Sequence, residues 1–470
     1  MKKYIALMTM VGGAWMMCAQ TPADEWTHQV DKVAVLIKTQ PDVAEDAFHK
    51  LLKGKNGKNA NLLVEIGRAY LNAGELSVAT DYAKRAKNAD KHCADAYVLS
   101  GDIALLSKNV NQASADYNQA IYFDEDCSEA YLKYAELYQA VSPQYSIEIL
   151  ERLQSKLPGD VRIDKQLGDT YYGMGEYGKA IEAYDRYWEN GVPNVQDFVR
   201  YATLLYLNKN FKESLAVVDE GLPLDMDNEV LMRLSMYNHY ELGNYEEGLE
   251  HAKLFFAPGD STELVYLDYV YYGRLLNKNQ RCEEASVQYE QALALDSTKA
   301  DVYQELVALY EKQQDYPKAI VVYKRCLEAT KDPEDIGDLF LWGRLNYYAA
   351  ANPDLKAQQP AYLADADAAF ARVTAEAPEN YLGFFWRART CSLNDPETTE
   401  GLAKPYYEKV LVLLEQHSDA SAPVIVECLS YLGYYYFVQE DYPKSKEYWM
   451  KILAVEPNNE TAKTALEGMK

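Results

Sequence analysis

Positive charge is scarce in this chain of 470 residues: 47 lysines and arginines stand against 72 aspartates and glutamates, a formal net charge of −25. A surface of that sign repels a duplex or a phosphate-rich surface, so nucleic acid is excluded as a partner. Beyond the first twenty residues no uncharged apolar run approaches the roughly 20 residues that a membrane-spanning helix needs. Cysteine pairs at metal spacing are missing too. Cys93, Cys127, Cys282, Cys326, Cys391 and Cys428 form no CxxC and have no histidine beside them, so no metal is expected. Cys93 and Cys127 occupy equivalent places in the chain, and a bridge between them is not expected. The six histidines make no HExxH, no GxSxG elbow is present, and no cysteine pairs with a histidine. Residues 173–178, GMGEYG, match GxGxxG in letters only, because a helical pattern precedes them where a dinucleotide fold requires a strand. The reading is of a chain without catalytic residues, metal or cofactor. At 48% hydrophobic residues it nevertheless has ample apolar surface for a folded core.

What is present is a repeating pattern. Leu167 to Tyr187, LGDTYYGMGEYGKAIEAYDRY, places apolar residues every three or four positions on both sides of Gly175. That periodicity describes two amphipathic helices joined by a tight turn. A small residue of the first helix recurs at Gly67, Gly101, Ala135, Gly168, Ala202, Ser235, Gly273, Val307, Gly343, Ala388 and Gly433. The steps are 33–38 residues as far as Gly343 and 45 thereafter. A second pair, small and then aromatic four residues later, keeps the same register. It stands at Ala113/Tyr117, Ala180/Tyr184, Ala285/Tyr289, Ala319/Tyr323, Ala366/Phe370, Ala403/Tyr407 and Ser445/Trp449. Four residues apart is one helix face, which interhelix packing requires.

These residues resemble the tetratricopeptide repeat (TPR) family. The resemblance implies an all-α, right-handed superhelical solenoid of helix-turn-helix repeats, each touching only its neighbours. The chain then divides as an export signal over 1–20, an atypical helix pair over 21–58, a repeat array over 59–334, an array with longer turns over 335–457, and a capping helix over 458–470. Helices are expected over Asp24–Lys38 and from Pro41 to Leu52, with a flexible basic loop over 53–59. Pro333, Pro378 and Pro457 fall between repeats, where a proline ends a helix without breaking it. Residues 221–260 keep helical periodicity but lose most motif residues. Residues 351–356 and 393–399 are longer turns inside helix pairs.

The signal rests on Lys2 and Lys3, the apolar run Tyr4–Met17, and a small-residue cleavage site at Ala19-Gln20. Its removal takes the charge from −25 to −27. Lipidation at Cys18 is the alternative, although bulky residues stand before that cysteine. A periplasmic location is the expectation, with an outer-membrane lipoprotein as the second possibility.

By the resemblance, the residue after each small residue faces a concave groove that holds extended peptides or partner helices. Those residues are Arg68, Asp102, Glu136, Asp169, Thr203, Met236, Arg274, Ala308, Arg344, Arg389 and Tyr434. After Arg68 the early groove is mainly acidic, and the later groove carries Arg274, Arg344 and Arg389 on a very acidic chain. With Tyr347, Tyr348 and Trp386 close in sequence, Arg274, Arg344, Arg389 and Tyr434 outline a candidate site for an acidic or C-terminal peptide. Each arginine has two open fates: an external carboxylate, or a Glu or Asp of the adjacent repeat. The carboxylate clamp of chaperone-binding relatives does not fit, since Asp169 stands where the clamp has Asn. Many of the 41 tyrosines sit at motif positions and are assigned to the core. The expected function is a non-enzymatic protein-interaction scaffold in the cell envelope. A glycan-binding component of an outer-membrane uptake system is the alternative.

Overall fold

A computed structural model describes residues 22–257, 263–330, 335–415 and 421–469. The export signal with Cys18, and Pro333, lie outside the described residues. Among the described residues every regular element is helical. They fall into two compact units, one running up to Leu234 and one beginning at Ser235. Each unit is a stack of helix pairs.

The first unit pairs Ala60–Asn72 with Leu76–Ala89, Ala94–Leu106 with Val110–Phe123, Ser128–Gln139 with Pro143–Lys156, Val161–Gly173 with Tyr177–Asn190, and Val195–Leu207 with Phe211–Gly221. The second pairs Tyr266–Lys278 with Cys282–Leu295, Ala300–Lys312 with Tyr316–Thr330, Ile336–Ala351 with Gln359–Glu376, Tyr381–Asn394 with Lys404–Leu414, and Ala422–Val438 with Tyr442–Val455. Glu460–Gly468 follows, with Ala462 as its buried anchor.

Why the sequence builds these pairs is visible where the helices cross. A Cβ on Gly101 would lie 2.4 Å from the Tyr117 ring, on Gly168 2.5 Å from Tyr184, on Gly273 2.7 Å from Tyr289, on Gly343 2.6 Å from Phe370 and on Gly433 2.8 Å from Trp449. The small residue of the first helix therefore leaves the space that the aromatic of the second helix fills. Where the second helix carries serine instead of alanine, its hydroxyl donates to the backbone carbonyl of the small residue opposite. Ser146 does so to Ala135 (2.7 Å), Ser214 to Ala202 (2.8 Å) and Ser445 to Gly433 (2.7 Å). The hydroxyl is buried, so this bond is what makes serine tolerable there.

Gly175 is the turn residue of its pair, with φ +75°, and the amide of Glu176 closes onto the Tyr171 carbonyl at 3.0 Å. The glycine-rich GMGEYG is thus a helix C-terminus and turn, preceded by the helix Val161–Gly173.

Several boundaries differ from the sequence reading. The first helix runs Pro22–Ala34 and stops short of Lys38. Residues 53–59, expected as a flexible loop, contain a 3₁₀ helix, Gly54–Lys58. Asn56 holds it by donating to the Leu51 carbonyl (3.1 Å), and Asn59 caps the next helix by accepting from the Leu62 amide (3.2 Å). Met236 was placed in the groove by register but is fully buried. The run Leu234–Asn238 is enclosed on every side, so a one-faced helical pattern does not apply there.

The two longer turns are built, not slack. Asn352 caps a 3₁₀ helix, Pro353–Leu355. In the other, the buried Asp395 carboxylate accepts backbone N–H groups from Thr399 (3.1 Å), Glu400 (3.1 Å) and Gly401 (2.8 Å). The Ala403 amide donates to the Tyr431 hydroxyl at 3.3 Å, which ties this turn to the next repeat.

Candidate functional site

In both units, ion pairs run from one first helix to the next, along the face that the groove reading had assigned to partners. In the first unit Lys133 meets Asp102 at 3.0 Å, and Arg200 meets Asp169 at 2.7 Å. In the second, Arg274 meets Glu305 at 2.8 Å, Arg344 meets Glu311 at 3.4 Å, and Arg389 meets Glu427 through two bonds of 2.7 and 2.5 Å. Lys165 contacts Asp197 in the same manner.

Behind this row stands a row of tyrosines from the second helices. The Tyr117 hydroxyl donates to Asp102 (2.7 Å), Tyr184 to Asp169 (2.6 Å), Tyr289 to Glu305 (3.2 Å) and Tyr407 to Glu427 (3.1 Å). Each of these carboxylates is thereby held from behind by a buried phenol and from the front by a cation of a neighbouring repeat. Burial first, and the facing carboxylate next, push all four phenols well above the ordinary tyrosine range. The hydroxyls stay protonated and donate. A tyrosine at a packing position therefore also orients a charged groove side chain.

Of the seven predicted site residues, four gather around a fifth, Trp386. Its ring lies 5.3 Å from Tyr347 and 5.7 Å from Tyr348, edge to face, with the Arg389 guanidinium 5.1 Å and the Arg344 guanidinium 5.9 Å from its centre. Phe370 stacks on it at 6.1 Å. Trp386 is 9% exposed, so it supports the two arginines from below rather than offering a stacking platform. Arg274 lies apart, against Tyr240 and Tyr271. Tyr434 is 43% exposed on Ala422–Val438. Among the described residues no ring or ion-pair contact joins either of them to the Trp386 cluster.

All three arginines carry a carboxylate from an adjacent repeat. For Arg389 the hydrogen bond to Glu427 is the main cause of a pKa above the usual arginine value. For Arg274 burial opposes its charge, and Glu305 more than offsets it. Sequence reasoning missed those partners, Glu305, Glu311 and Glu427. They stand 31, 33 and 38 residues from their arginines, so a search for opposite charges about one repeat apart would have found them.

Among the described residues, no group of three histidines, cysteines or carboxylates is placed to hold a metal ion, and no helix is long and apolar enough to cross a membrane.

Stacked helix pairs, small-residue crossings and a polar face of first helices define an α-solenoid of helix-turn-helix repeats. Models of the tetratricopeptide repeat match residues 94–127 and 302–336. In these two stretches the chain is similar to the tetratricopeptide repeat, the helix-turn-helix unit that the fold also shows. The TPR repeat-containing protein YpiA of Bacillus subtilis (strain 168) is 24% identical over 227 residues, 48% of this chain and 52% of its own length. This chain thus spans about half the length of that curated relative. Among solved structures, the C-terminal part of a TPR repeat-containing protein from Cytophaga hutchinsonii is 27% identical with a TM-score of 0.46, covering 57% of this chain and 99% of its own. A tetratricopeptide repeat protein from Parabacteroides merdae is 18% identical with a TM-score of 0.35, covering 54% and 98%.

Proposed function

We propose that the chain is exported to the cell envelope and there holds a partner protein against the first-helix face of the unit that begins at Ser235. The observation that carries this reading is the pair Arg344 and Arg389, whose guanidinium groups lie 5.9 and 5.1 Å from the centre of the Trp386 ring. A guanidinium has five N–H donors in a fixed fork. Arg389 spends two of them on Glu427, and Arg344 spends one, at 3.4 Å, on Glu311. The remaining donors are held in place by the ring below and the carboxylate beside them, so little ordering is left for the binding step. A partner's C-terminal or side-chain carboxylate is the group that such donors take best. The N-terminal pattern, with its alternative at Cys18, supports the location.

The test is capture of partners from cell envelopes by the tagged chain and by its Arg344→Gln, Arg389→Gln double variant. Glutamine is chosen because glutamate would face Glu311 or Glu427 and weaken the fold itself. The double variant is expected to lose at least about tenfold of the captured partner while its helical circular dichroism is unchanged. Equal capture would contradict the proposal.

A further inference from the structure

The unit that ends at Leu234 has a first-helix face of opposite character, and it lies outside the site just proposed. Its helices Ala60–Asn72, Ala94–Leu106 and Ser128–Gln139 carry five carboxylates, Glu65, Asp95, Asp102, Glu129 and Glu136, against two cations, Arg68 and Lys133. All but Glu136 are tied into one network. Arg68 meets Glu129 (2.8 Å), Asp95 (3.4 Å) and Glu65 (3.4 Å), and Lys133 meets Asp102 (3.0 Å) and Glu129 (3.9 Å). Among the described residues Glu136 meets no cation. The face thus keeps a surplus of three negative charges after its own pairing.

The surplus lies beside apolar surface. A cleft of about 610 Å³ opens where Ala94–Leu106, Val110–Phe123 and Ser128–Gln139 meet. Leu105, Val110, Leu137 and Val141 line it together with Asp102, Glu136 and Lys133, the last of these already spent on Asp102. Val141 is 78% exposed and Val110 48%. Apolar side chains gathered in a cleft with a polar rim are a feature of interaction sites. The Glu65 carboxyl fits the same picture: burial first, with Asp95, Asp31 and Glu129 adding to it against Arg68, holds it above the usual glutamate range. A positive group brought to this face relieves that repulsion, and a negative one increases it.

We propose that this face docks a cationic, partly apolar segment of a partner protein, with a lysine or arginine among Glu129, Glu136 and Asp102 and a nearby aliphatic side chain in the cleft. Asp102 and Glu136 line the cleft beside its aliphatic side chains, so the basic and the aliphatic residue stand close together in the docked segment. A second copy of this chain is disfavoured as the occupant, because its own net charge is strongly negative.

The test is selection of a random 12-residue peptide library, displayed on phage, against the full chain. The expected set is net positive, with an aliphatic residue close in sequence to a lysine or arginine. Its retention falls at least tenfold in half-molar salt and in a Glu129→Gln, Glu136→Gln variant, both substitutions being at solvent-accessible side chains. It falls also in Val141→Ser, whose side chain is too exposed to matter for folding. The Arg344→Gln, Arg389→Gln variant retains the set in full, so that this outcome and the fate of the other site are read separately. A neutral or acidic set, no enrichment, or retention unchanged in the glutamine variant overturns the proposal. A dimer abolished by Glu129→Gln, Glu136→Gln would give the face to a second copy and overturn it as well.

Discussion

Tyr184→Ala is expected to lower the unfolding free energy by about 4 kcal/mol, the range found for removing a buried ring together with the cavity it leaves. Three contacts fail at once. The ring fills the space over Gly168, where nothing larger than hydrogen fits. It stacks on Tyr201 at 5.6 Å with planes 10° apart. Its hydroxyl, 2.6 Å from Asp169, is one of the two groups that hold that carboxylate, with Arg200 as the other. Tyr184→Phe keeps the ring and loses the hydroxyl, so its cost should be about 1.5–3 kcal/mol, the worth of a hydrogen bond to a charged group. Tyr122→Ala, at a side chain 77% exposed, should stay within about 0.5 kcal/mol. Urea titrations followed by circular dichroism order the three variants. Equal midpoints for Tyr184→Ala and Tyr122→Ala would remove the ring-over-glycine crossing from the account.

Alkali should unfold the chain cooperatively, beginning close to pH 10. Tyr70, Tyr187 and Tyr431 are each raised to about 12 from an ordinary 10.0, by burial first. Tyr117, Tyr134, Tyr184, Tyr201, Tyr289 and Tyr407 are raised in the same direction by the same first cause. The sign follows from proton counting. Below pH 10 both states hold every phenolic proton, and stability is unaffected. Above it the unfolded chain releases protons that the folded chain keeps, so stability falls by about 1.4 kcal/mol per pH unit for each such tyrosine. With so many acting together, the folded state is exhausted before its own phenols titrate. Tyrosinate absorbance near 295 nm and helicity at 222 nm should therefore change together between about pH 10 and 11. Ionisation of most tyrosines with helicity intact would contradict the burial and carboxylate contacts described for them.

Much of the fold was legible because repeat packing leaves a local signature. Gly101 with Tyr117 and Gly168 with Tyr184 are spaced alike in sequence and meet alike in space, so the register can be followed along the chain without any long-range information. It failed at Met236, where five consecutive buried residues erase the one-faced pattern. The turn at Asp395 was legible only as an insertion. Nothing in LNDPETT announces that its one buried carboxylate will gather the following amides, because that depends on Tyr431 closing the turn from the next repeat. The candidate site was legible by half. Arg344 and Arg389 came from register and the aromatic residues from closeness in sequence, whereas the carboxylate partners sit on neighbouring first helices and pair only once the repeats stack. The tyrosine hydroxyls were hidden for a related reason. A ring that packs a core and a phenol that orients a groove carboxylate are the same residue, and sequence reasoning assigned it the first role alone.

The central claim, a scaffold that holds its partner on first helices, is tested most directly by site-specific photo-crosslinking in intact cell envelopes. A photoreactive residue replaces Tyr434, exposed on the first helix Ala422–Val438, or Val412, somewhat more exposed on the second helix Lys404–Leu414. The account predicts one defined protein adduct from position 434 and none from 412. Adducts from position 412 alone, or the same adducts from both, would contradict it.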